Sequence, residues 1–258
     1  MTYRLGKKPA RPGAVKLQFG DYLSTSTLSA PPATFGHDKI IGSWPMLAND
    51  TVGCCAISDG LHQHQLWCAE TGKRIPLSDA VTIKNYSAVT GYNPKDPSTD
   101  QGTDLAQLCS YRQHTGLIDG AGHRHKVGAY LALNPKDFQQ LLYAIFYLDG
   151  VTIGVDFPSQ WMTAFNAGNY LWDKLPHPNV EGGHAITGVA SVTPGSVRIV
   201  TWGTDLVNLT QAGYEQANDE AYVFISLDRL NNNGLDINGF DIVKLRADLA
   251  ALQSVSKG

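Results

Sequence analysis

The chain has 258 residues, of which 43% are hydrophobic, and a formal net charge of −3 at pH 7. This length suits one large domain or two small ones, and this apolar content can build a substantial core. Charges of both signs are mixed along the chain, which argues against nucleic acid as a partner. No stretch is apolar for long enough to cross a bilayer, and no apolar segment follows the basic N-terminus. We therefore expect neither a membrane partner nor a secretory signal.

Residues 1–45 are rich in Pro, Gly, Ser and Thr, a composition that predicts an extended N-terminal arm before a domain over 46–258. Apolar periodicity and capping residues predict helices over 55–71, 79–90, 104–114, 134–148 and 241–254. Pro135 is placed in the first turn of the fourth helix. Strands are predicted over 127–133, 151–157, 184–192, 197–202 and 220–226. Helices come first and mostly strands follow, an order that predicts an α+β fold with an antiparallel sheet facing a helical half.

The cysteines do not have the spacing of a disulfide framework or a zinc finger: Cys54, Cys55, Cys68 and Cys109. Adjacent cysteines rarely bridge each other, so a reducing compartment such as the cytoplasm is expected. The pairs His62-x-His64 and His123-x-His125 alternate as metal ligands can, but neither has a clear third ligand. The segment 230–241 is rich in oxygen ligands without calcium-loop spacing. We expect no metal and no cofactor.

Residues 49–55 place a thiol directly after a tight turn and at the start of a predicted helix. A helix N-terminus lowers the pKa of a cysteine because its unpaired N–H groups favour the thiolate. Gly53 permits the turn and the close approach of a substrate backbone. Asn49 could direct an amide N–H into an oxyanion hole beside the backbone N–H of Cys55. Cys54 is the rival nucleophile, although the spacing favours Cys55. The alternative is a structural cysteine before a core helix.

Gly182, Gly183 and His184 lead into an apolar run that predicts a strand. An imidazole at the head of a strand that faces a cleft can take the proton of a thiol. A cysteine and a distant histidine that meet in the fold form the minimal pair for cysteine-based acyl transfer. The alternative is a hydrogen-bonded core histidine.

These motifs resemble the papain-like cysteine peptidase superfamily. That family has an oxyanion Gln six residues before the nucleophile and a Gly two before it, positions that Asn49 and Gly53 hold here. His184 with the apolar strand after it matches the family's base. Trp202 and the glycine after it match a family Trp-Gly pair, but Val200 stands where the family has an Asn.

The resemblance covers roughly residues 45–230 and implies a thiol hydrolase that acts on a peptide or another amide. It implies Cys55 as nucleophile, His184 as base, Asn49 as an oxyanion donor and Trp202 as a shield of the site. The segments 86–94 and 99–105 are also similar to uncharacterised phage and prophage proteins of this superfamily.

Valine can neither orient an imidazole nor stabilise its charged form, so the third triad residue is missing at Val200. Thr201, Asp205 or a backbone carbonyl are the candidates to replace it. The second hypothesis is therefore a weak or inactive papain-like domain that serves as a structural or binding component, for example of a phage particle with phage structural proteins as partners. The expected localisation is the cytoplasm or the virion. A homo-oligomer is left open.

Overall fold

The computed structural model of the protein describes residues 3–23, 28–226, 241, 243–247 and 250. Of the predicted helix 241–254, the described residues 243–247 and 250 are helical, and the oxygen-rich segment 230–241 lies outside the described residues except for Asp241. Within those residues, no helix is both long and apolar enough to cross a membrane.

Six α-helices occupy the region up to residue 217, and short 3-10 turns lie at Phe19–Tyr22, Asp38–Ile40 and Pro97–Thr99. Side-chain oxygens of Ser78, Asp104 and Asp137 accept N–H groups at the start of three of these helices, as N-caps commonly do. The helices are α1 (Cys55–Glu70), α2 (Asp79–Thr90), α3 (Leu105–His114), α4 (Phe138–Leu148), α5 (Ser159–Asn166) and α6 (Gln211–Ala217).

The strands are β1 (Phe35–Gly36), β2 (Leu117–Ile118), β3 (Arg124–His125), β4 (Val127–Ala132), β5 (Val151–Pro158), β6 (Leu171–Trp172), β7 (Val180–Ser191), β8 (Ser196–Thr201), β9 (Thr204–Thr210) and β10 (Asn218–Ser226). The large sheet has the order β4-β10-β5-β7-β8-β9-β6, with β1 beside β7, and β2 pairs with β3 in a separate hairpin. Every pairing except β6 with β9 is antiparallel. The predicted α+β class is confirmed.

Three sequence predictions about boundaries are wrong. Strand β7 begins at Val180 and not at His184, so His184 lies within the strand and not at its head. Helix α4 begins at Phe138 and not near Pro135, because Lys136 has a left-handed φ of 68° and Asp137 caps the helix after it. Strand β8 ends at Thr201, and Trp202 and Gly203 form the turn to β9 with φ angles of 45° and 75°. Two consecutive positive φ values suit the twist of a tight hairpin. The strand β9 and the helices α5 and α6 were not predicted.

A buried polar network fixes α1 against the sheet. The carboxylate of Asp59 accepts hydrogen bonds from Thr187 Oγ1 at 2.6 Å, from Gln63 Nε2 at 3.1 Å and from the Thr152 hydroxyl. A buried carboxylate needs several donors to offset its lost hydration. Asp59 lies one helical turn after Cys55, and Thr187 lies three residues after His184. The network therefore holds the start of α1 beside the middle of β7.

Candidate active site

The start of α1 brings a thiol to the edge of strand β7. The backbone N–H of Ala185 donates to the Sγ atom of Cys55 at 3.4 Å. Ala185 directly follows His184, so the structure brings together the two residues that the sequence singled out. Both are buried, with 1% of Cys55 and none of His184 exposed.

The imidazole of His184 is held on three sides. A hydrogen bond of 2.8 Å joins its Nε2 atom to Thr201 Oγ1. The ring stacks on Trp202 at 4.5 Å between centroids, and the edge of Phe157 meets it at 5.5 Å. The Nδ1 atom is buried and has no hydrogen-bond partner. Nδ1 is therefore the ring nitrogen that remains available for a proton.

Val200 does not face this histidine. Its side chain is buried in a separate cluster with Trp44, Leu66 and Val189. Because alternate residues of a strand point to opposite faces, the next residue, Thr201, points toward His184. The family motif correctly identified Trp202 and Gly203. The hydroxyl that contacts His184 belongs to Thr201, one residue before this pair.

The two neighbouring cysteines have different surroundings. Cys54 is the N-cap of α1, and its thiol donates to the Leu47 carbonyl at 3.4 Å and contacts Ser58 at 3.7 Å. Burial raises the pKa of Cys54 well above its ordinary value. Its thiol points into the helical core, whereas Cys55 points to the strand of His184.

Asn49 also lies at this site, in a strained loop. The two residues before it, Leu47 and Ala48, have left-handed φ angles of 55° and 58°, a conformation that costs non-glycine residues of order 1–2 kcal/mol each. The Ala48 N–H donates to Asp79 Oδ1 at 2.8 Å, which helps to hold the loop. The side-chain amide of Asn49 donates to the Arg4 carbonyl at 3.3 Å and to the Val52 carbonyl at 3.5 Å.

The partner Arg4 belongs to a stretch of the N-terminal arm that lies along the site, and we name residues 3–8 the cleft segment. The N–H groups of Gly6 and Lys7 both donate to the Gly183 carbonyl, at 3.1 and 2.9 Å. On the other side, the Thr103 N–H donates to the Gly6 carbonyl at 2.7 Å. The cleft segment is therefore bonded to both walls of the cleft.

The cleft segment also covers the aromatic side of the site. The ring of Tyr3 stacks on Trp202 at 4.9 Å and meets the edge of Phe165 at 5.2 Å. The indole N–H of Trp202 donates to the Arg4 carbonyl at 3.4 Å. The cleft segment therefore covers Trp202, the residue whose ring stacks on His184.

Glycines make this close passage of two backbones feasible. A Cβ atom on Gly6 would lie 1.9 Å from the Gly53 carbonyl oxygen, and one on Gly183 would lie 2.3 Å from the Lys7 carbonyl oxygen. Both contacts are with backbone atoms, which cannot rotate away. Gly53 and Gly183, which the sequence predicted as support of the site, are contact points for the cleft segment.

Burial sets the protonation of the pair. Desolvation raises the pKa of the Cys55 thiol to about 11. The N–H groups of Ala185 and Gly6 and the charge of Lys7 act in the opposite direction but do not prevail. Burial also lowers the pKa of His184 to about 3. In this arrangement the proton rests on sulfur and the imidazole is neutral.

Buried neutral histidines make the fold sensitive to acid. Burial lowers the pKa of His62 to about 4 and that of His184 to about 3, from ordinary values near 6.5. Below pH 6.5 the unfolded chain takes up protons that the folded chain does not, so stability falls until the pH reaches the folded pKa. A folded pKa that lies one pH unit below the unfolded pKa corresponds to about 1.4 kcal/mol of this loss. Burial raises the pKa of Asp59 to about 6, which favours the folded state between pH 6 and 4 and offsets part of the loss.

We therefore expect the urea midpoint of unfolding to fall between pH 6.5 and 4.5. The variant His62→Gln should lose less stability over this range, by about 2–3 kcal/mol, because its side chain cannot be protonated. The exposed His177→Gln is the matched control and should behave as the wild type. A midpoint that rises on acidification would contradict this account.

Neither histidine pair belongs to the group of potential metal ligands that converges among the described residues. Among the described residues, the His/Cys/Asp/Glu group whose ligand atoms converge is that of His37, Glu70 and Asp149. Nδ1 of His37 lies 3.0 Å from Glu70 and 3.5 Å from Asp149. Burial lowers the pKa of His37, but its carboxylate neighbours outweigh burial and raise it. The ring of His37 therefore has two carboxylate partners within this cluster.

No protein-family model matches the sequence, and no curated protein matches it. Solved structures do match. Xylellain, a cysteine protease from Xylella fastidiosa, is similar over 88% of this chain and 98% of that chain, with a TM-score of 0.66 and 14% identity. The chain has the papain-like fold. Procathepsin B from Trypanosoma congolense matches over 86% of both chains with a TM-score of 0.56 and 10% identity. Procathepsin L2 from Tenebrio molitor covers 76% of this chain and 69% of that chain, with a TM-score of 0.53 and 13% identity.

Proposed function

We propose that this protein is a papain-like thiol hydrolase that cleaves peptide or other amide bonds, with Cys55 as nucleophile and His184 as base. The observation that carries the proposal is the contact between the strand of His184 and the Cys55 thiol at the start of α1. The orientation of the imidazole supports it, because Thr201 holds Nε2 and leaves Nδ1 unpaired. The papain-like fold is consistent with it.

In the proposed reaction, Nδ1 of His184 takes the thiol proton and the sulfur of Cys55 attacks the carbonyl carbon. The oxygen then carries negative charge, which the amide of Asn49 is placed to stabilise. His184 gives its proton to the leaving nitrogen, the C–N bond breaks, and an acyl thioester remains. Water attacks this thioester with His184 again as base, and the acid product and the free thiol are released.

The cleft segment must leave before a substrate can enter. In the arrangement described above, Arg4 places its carbonyl against the amide of Asn49, where the proposal puts the substrate oxygen. Burial raises the pKa of the Cys55 thiol, although Gly6 and Lys7 of the segment act to lower it. Low reactivity of the intact chain is therefore expected of the closed cleft and does not require a degenerate site.

The test uses a variant in which the cleft segment is displaced, Gly6→Val, since a side chain there collides with the Gly53 carbonyl. A peptide library is incubated with this variant and with Gly6→Val/Cys55→Ala, and cleavage products are identified by mass spectrometry. We expect cleavage by the first protein and none by the second. Absence of cleavage by both, with an intact fold and a confirmed open cleft, would overturn the proposed hydrolase.

The role of Thr201 gives a sharper prediction. In the Gly6→Val background, Thr201→Val removes the hydroxyl that holds His184 Nε2 while it keeps a β-branched side chain. We expect kcat to fall by about 10- to 1,000-fold with little change in KM, because a misoriented base affects proton transfer and not binding. Thr201→Ser keeps the hydroxyl and should retain most of the activity. Equal rates for the valine and serine variants would show that Thr201 does not position the base.

The second hypothesis, an inactive domain within a phage particle, stays a prediction from sequence resemblance. The raised pKa of the buried Cys55 thiol and the occupied cleft are features that an inactive domain would also show.

A further inference from the structure

Lys7 of the cleft segment occupies a position that lysines rarely take. Its side chain is completely buried. Nζ lies 2.6 Å from the carboxylate of Asp219 and 3.3 Å from that of Glu220, and it donates to the Lys8 carbonyl at 2.9 Å. A lysine is almost never fully buried unless it is paired, so a prepared acidic environment surrounds this one.

That environment is a pocket beside the candidate catalytic pair. On strand β5, Gly154 pairs with Glu220 of β10 on one side and with Ala185 of β7 on the other. Ala185 is the residue whose N–H contacts the Cys55 thiol. The sheet register therefore sets the pocket next to the thiol.

The floor of the pocket has room for a long side chain. A Cβ atom on Gly154 would lie 2.7 Å from Cε of Lys7 and 2.8 Å from Cγ of Glu220. The missing side chain of Gly154 leaves a channel in which the aliphatic stem of Lys7 lies. Two residues further along β5, and therefore on the same face, comes Asp156.

The pocket holds three carboxyl groups. Asp219 and Glu220 contact the Lys7 ammonium group, whereas Asp156 is exposed and lies within electrostatic range of Asp219, Lys7 and Lys136; we name these three acidic residues the acidic pocket. The repulsion between Asp156 and Asp219 adds to burial in raising the pKa of Asp156. Burial also raises the pKa of Glu220, and Lys7 partly offsets this. One carboxylate would be enough to anchor the arm, so this excess of charge is suited to the capture of cations.

We propose that the acidic pocket is the subsite for a cationic side chain of the peptide substrate, lysine or arginine, and that Lys7 is its built-in occupant. This assignment rests on the hydrolase function proposed above. The cleft segment is extended and bonded to Gly183 through the backbone, as a bound peptide would be. An incoming peptide that replaces it along the same groove would place one of its side chains in the acidic pocket.

The first test measures binding and does not depend on catalysis. A synthetic peptide with the sequence of residues 3–10 is titrated into the Gly6→Val protein, and a second peptide carries norleucine in place of Lys7. We expect the norleucine peptide to bind at least about tenfold more weakly, because it leaves buried carboxylates unpaired. A third peptide, with norleucine in place of the exposed Lys8, is the matched control and should bind as the parent peptide does. In the double variant Asp219→Asn/Glu220→Gln, the penalty for replacing Lys7 should disappear.

The second test measures cleavage of a peptide library by the Gly6→Val protein. We expect lysine and arginine to be enriched at one position, and the enrichment to be lost in Asp219→Asn/Glu220→Gln. Cleavage that depends on Cys55 but has no cationic preference would overturn the subsite and leave the hydrolase in place. Binding that depends on Lys7 without any cleavage would overturn the hydrolase, and with it the role of the pocket in substrate choice. Equal binding of the Lys7 and norleucine peptides would overturn the pocket as a cation site.

Discussion

Replacing Gly6 by valine is expected to raise the rate at which iodoacetamide alkylates Cys55 by about 100-fold. A Cβ atom on Gly6 would lie 1.9 Å from the Gly53 carbonyl oxygen, and neither atom can move without displacing backbone. Forcing atoms into such a contact costs about 1–3 kcal/mol, which corresponds to a shift of up to about 150-fold toward the open cleft. The thiol is 1% exposed in the closed arrangement, so its alkylation reports on opening.

The matched control is Gly42→Val, because a Cβ atom there would meet nothing within 4 Å. That variant should alkylate at the wild-type rate. Peptide mapping supplies internal references, since Cys54 and Cys109 are buried in the body and Cys68 is half-buried. Faster alkylation of all four cysteines would indicate general unfolding. An unchanged rate at Cys55 would show that the cleft segment does not limit access to the thiol.

Replacing His184 by alanine in the open-cleft background is expected to lower kcat by about 100- to 10,000-fold. The imidazole lies on strand β7 directly before Ala185, whose N–H contacts the Cys55 thiol, and its Nδ1 has no hydrogen-bond partner. KM should change little, because the ring is buried between Trp202 and Phe157 and offers a substrate only the proton-transfer atom. The measurement is steady-state hydrolysis of a peptide that the Gly6→Val protein cleaves.

The control for this prediction is another buried histidine. His62 has its Nε2 atom 2.9 Å from the Pro45 carbonyl, and its ring meets the edge of Trp44. His62→Gln should therefore alter stability and leave kcat within a few-fold of the parent. If His62→Gln and His184→Ala lowered kcat equally, the loss would come from a weakened fold and not from a missing base.

The elements that carry the pair could be predicted because their signals are local. The helix that starts at Cys55 follows from apolar periodicity after a tight turn, and the strand of His184 from an apolar run after two glycines. The helix is confirmed at Cys55–Glu70, and the strand is present at Val180–Ser191 but begins before the two glycines. Long periodic segments keep their own conformation when they pack, so tertiary structure did not override them.

Other features depend on contacts that sequence spacing does not encode. Trp202 occupies a turn at a φ of 45°, a conformation that composition alone would not assign to tryptophan. The hydrogen bond between His184 Nε2 and Thr201 Oγ1 depends on which face of β8 meets the site, and a shift of one residue reverses that face. The family resemblance places the orienting residue at Val200. Thr201, the next residue, was one of the three candidates to replace it.

The sequence alone also does not show that the N-terminal arm lies in the cleft. The arm was predicted to be extended from its proline and glycine content, but the pairing of Lys7 with Asp219 joins residues 212 positions apart. Such a contact becomes visible only when the sheet register is known. The excess of acidic residues in 218–226 was a usable signal, since a buried strand with two adjacent carboxylates needs a cationic partner.

The most direct measurement is the pH dependence of Cys55 alkylation in Gly6→Val, with and without His184→Ala. The proposed pair predicts an apparent pKa for Cys55 below about 7 once the cleft is open, rising toward the ordinary value of about 8.5 when His184 is removed. An open-cleft thiol that titrates near 8.5 and is indifferent to His184 would contradict the account, because the two residues would then be neighbours in the fold without acting as a pair.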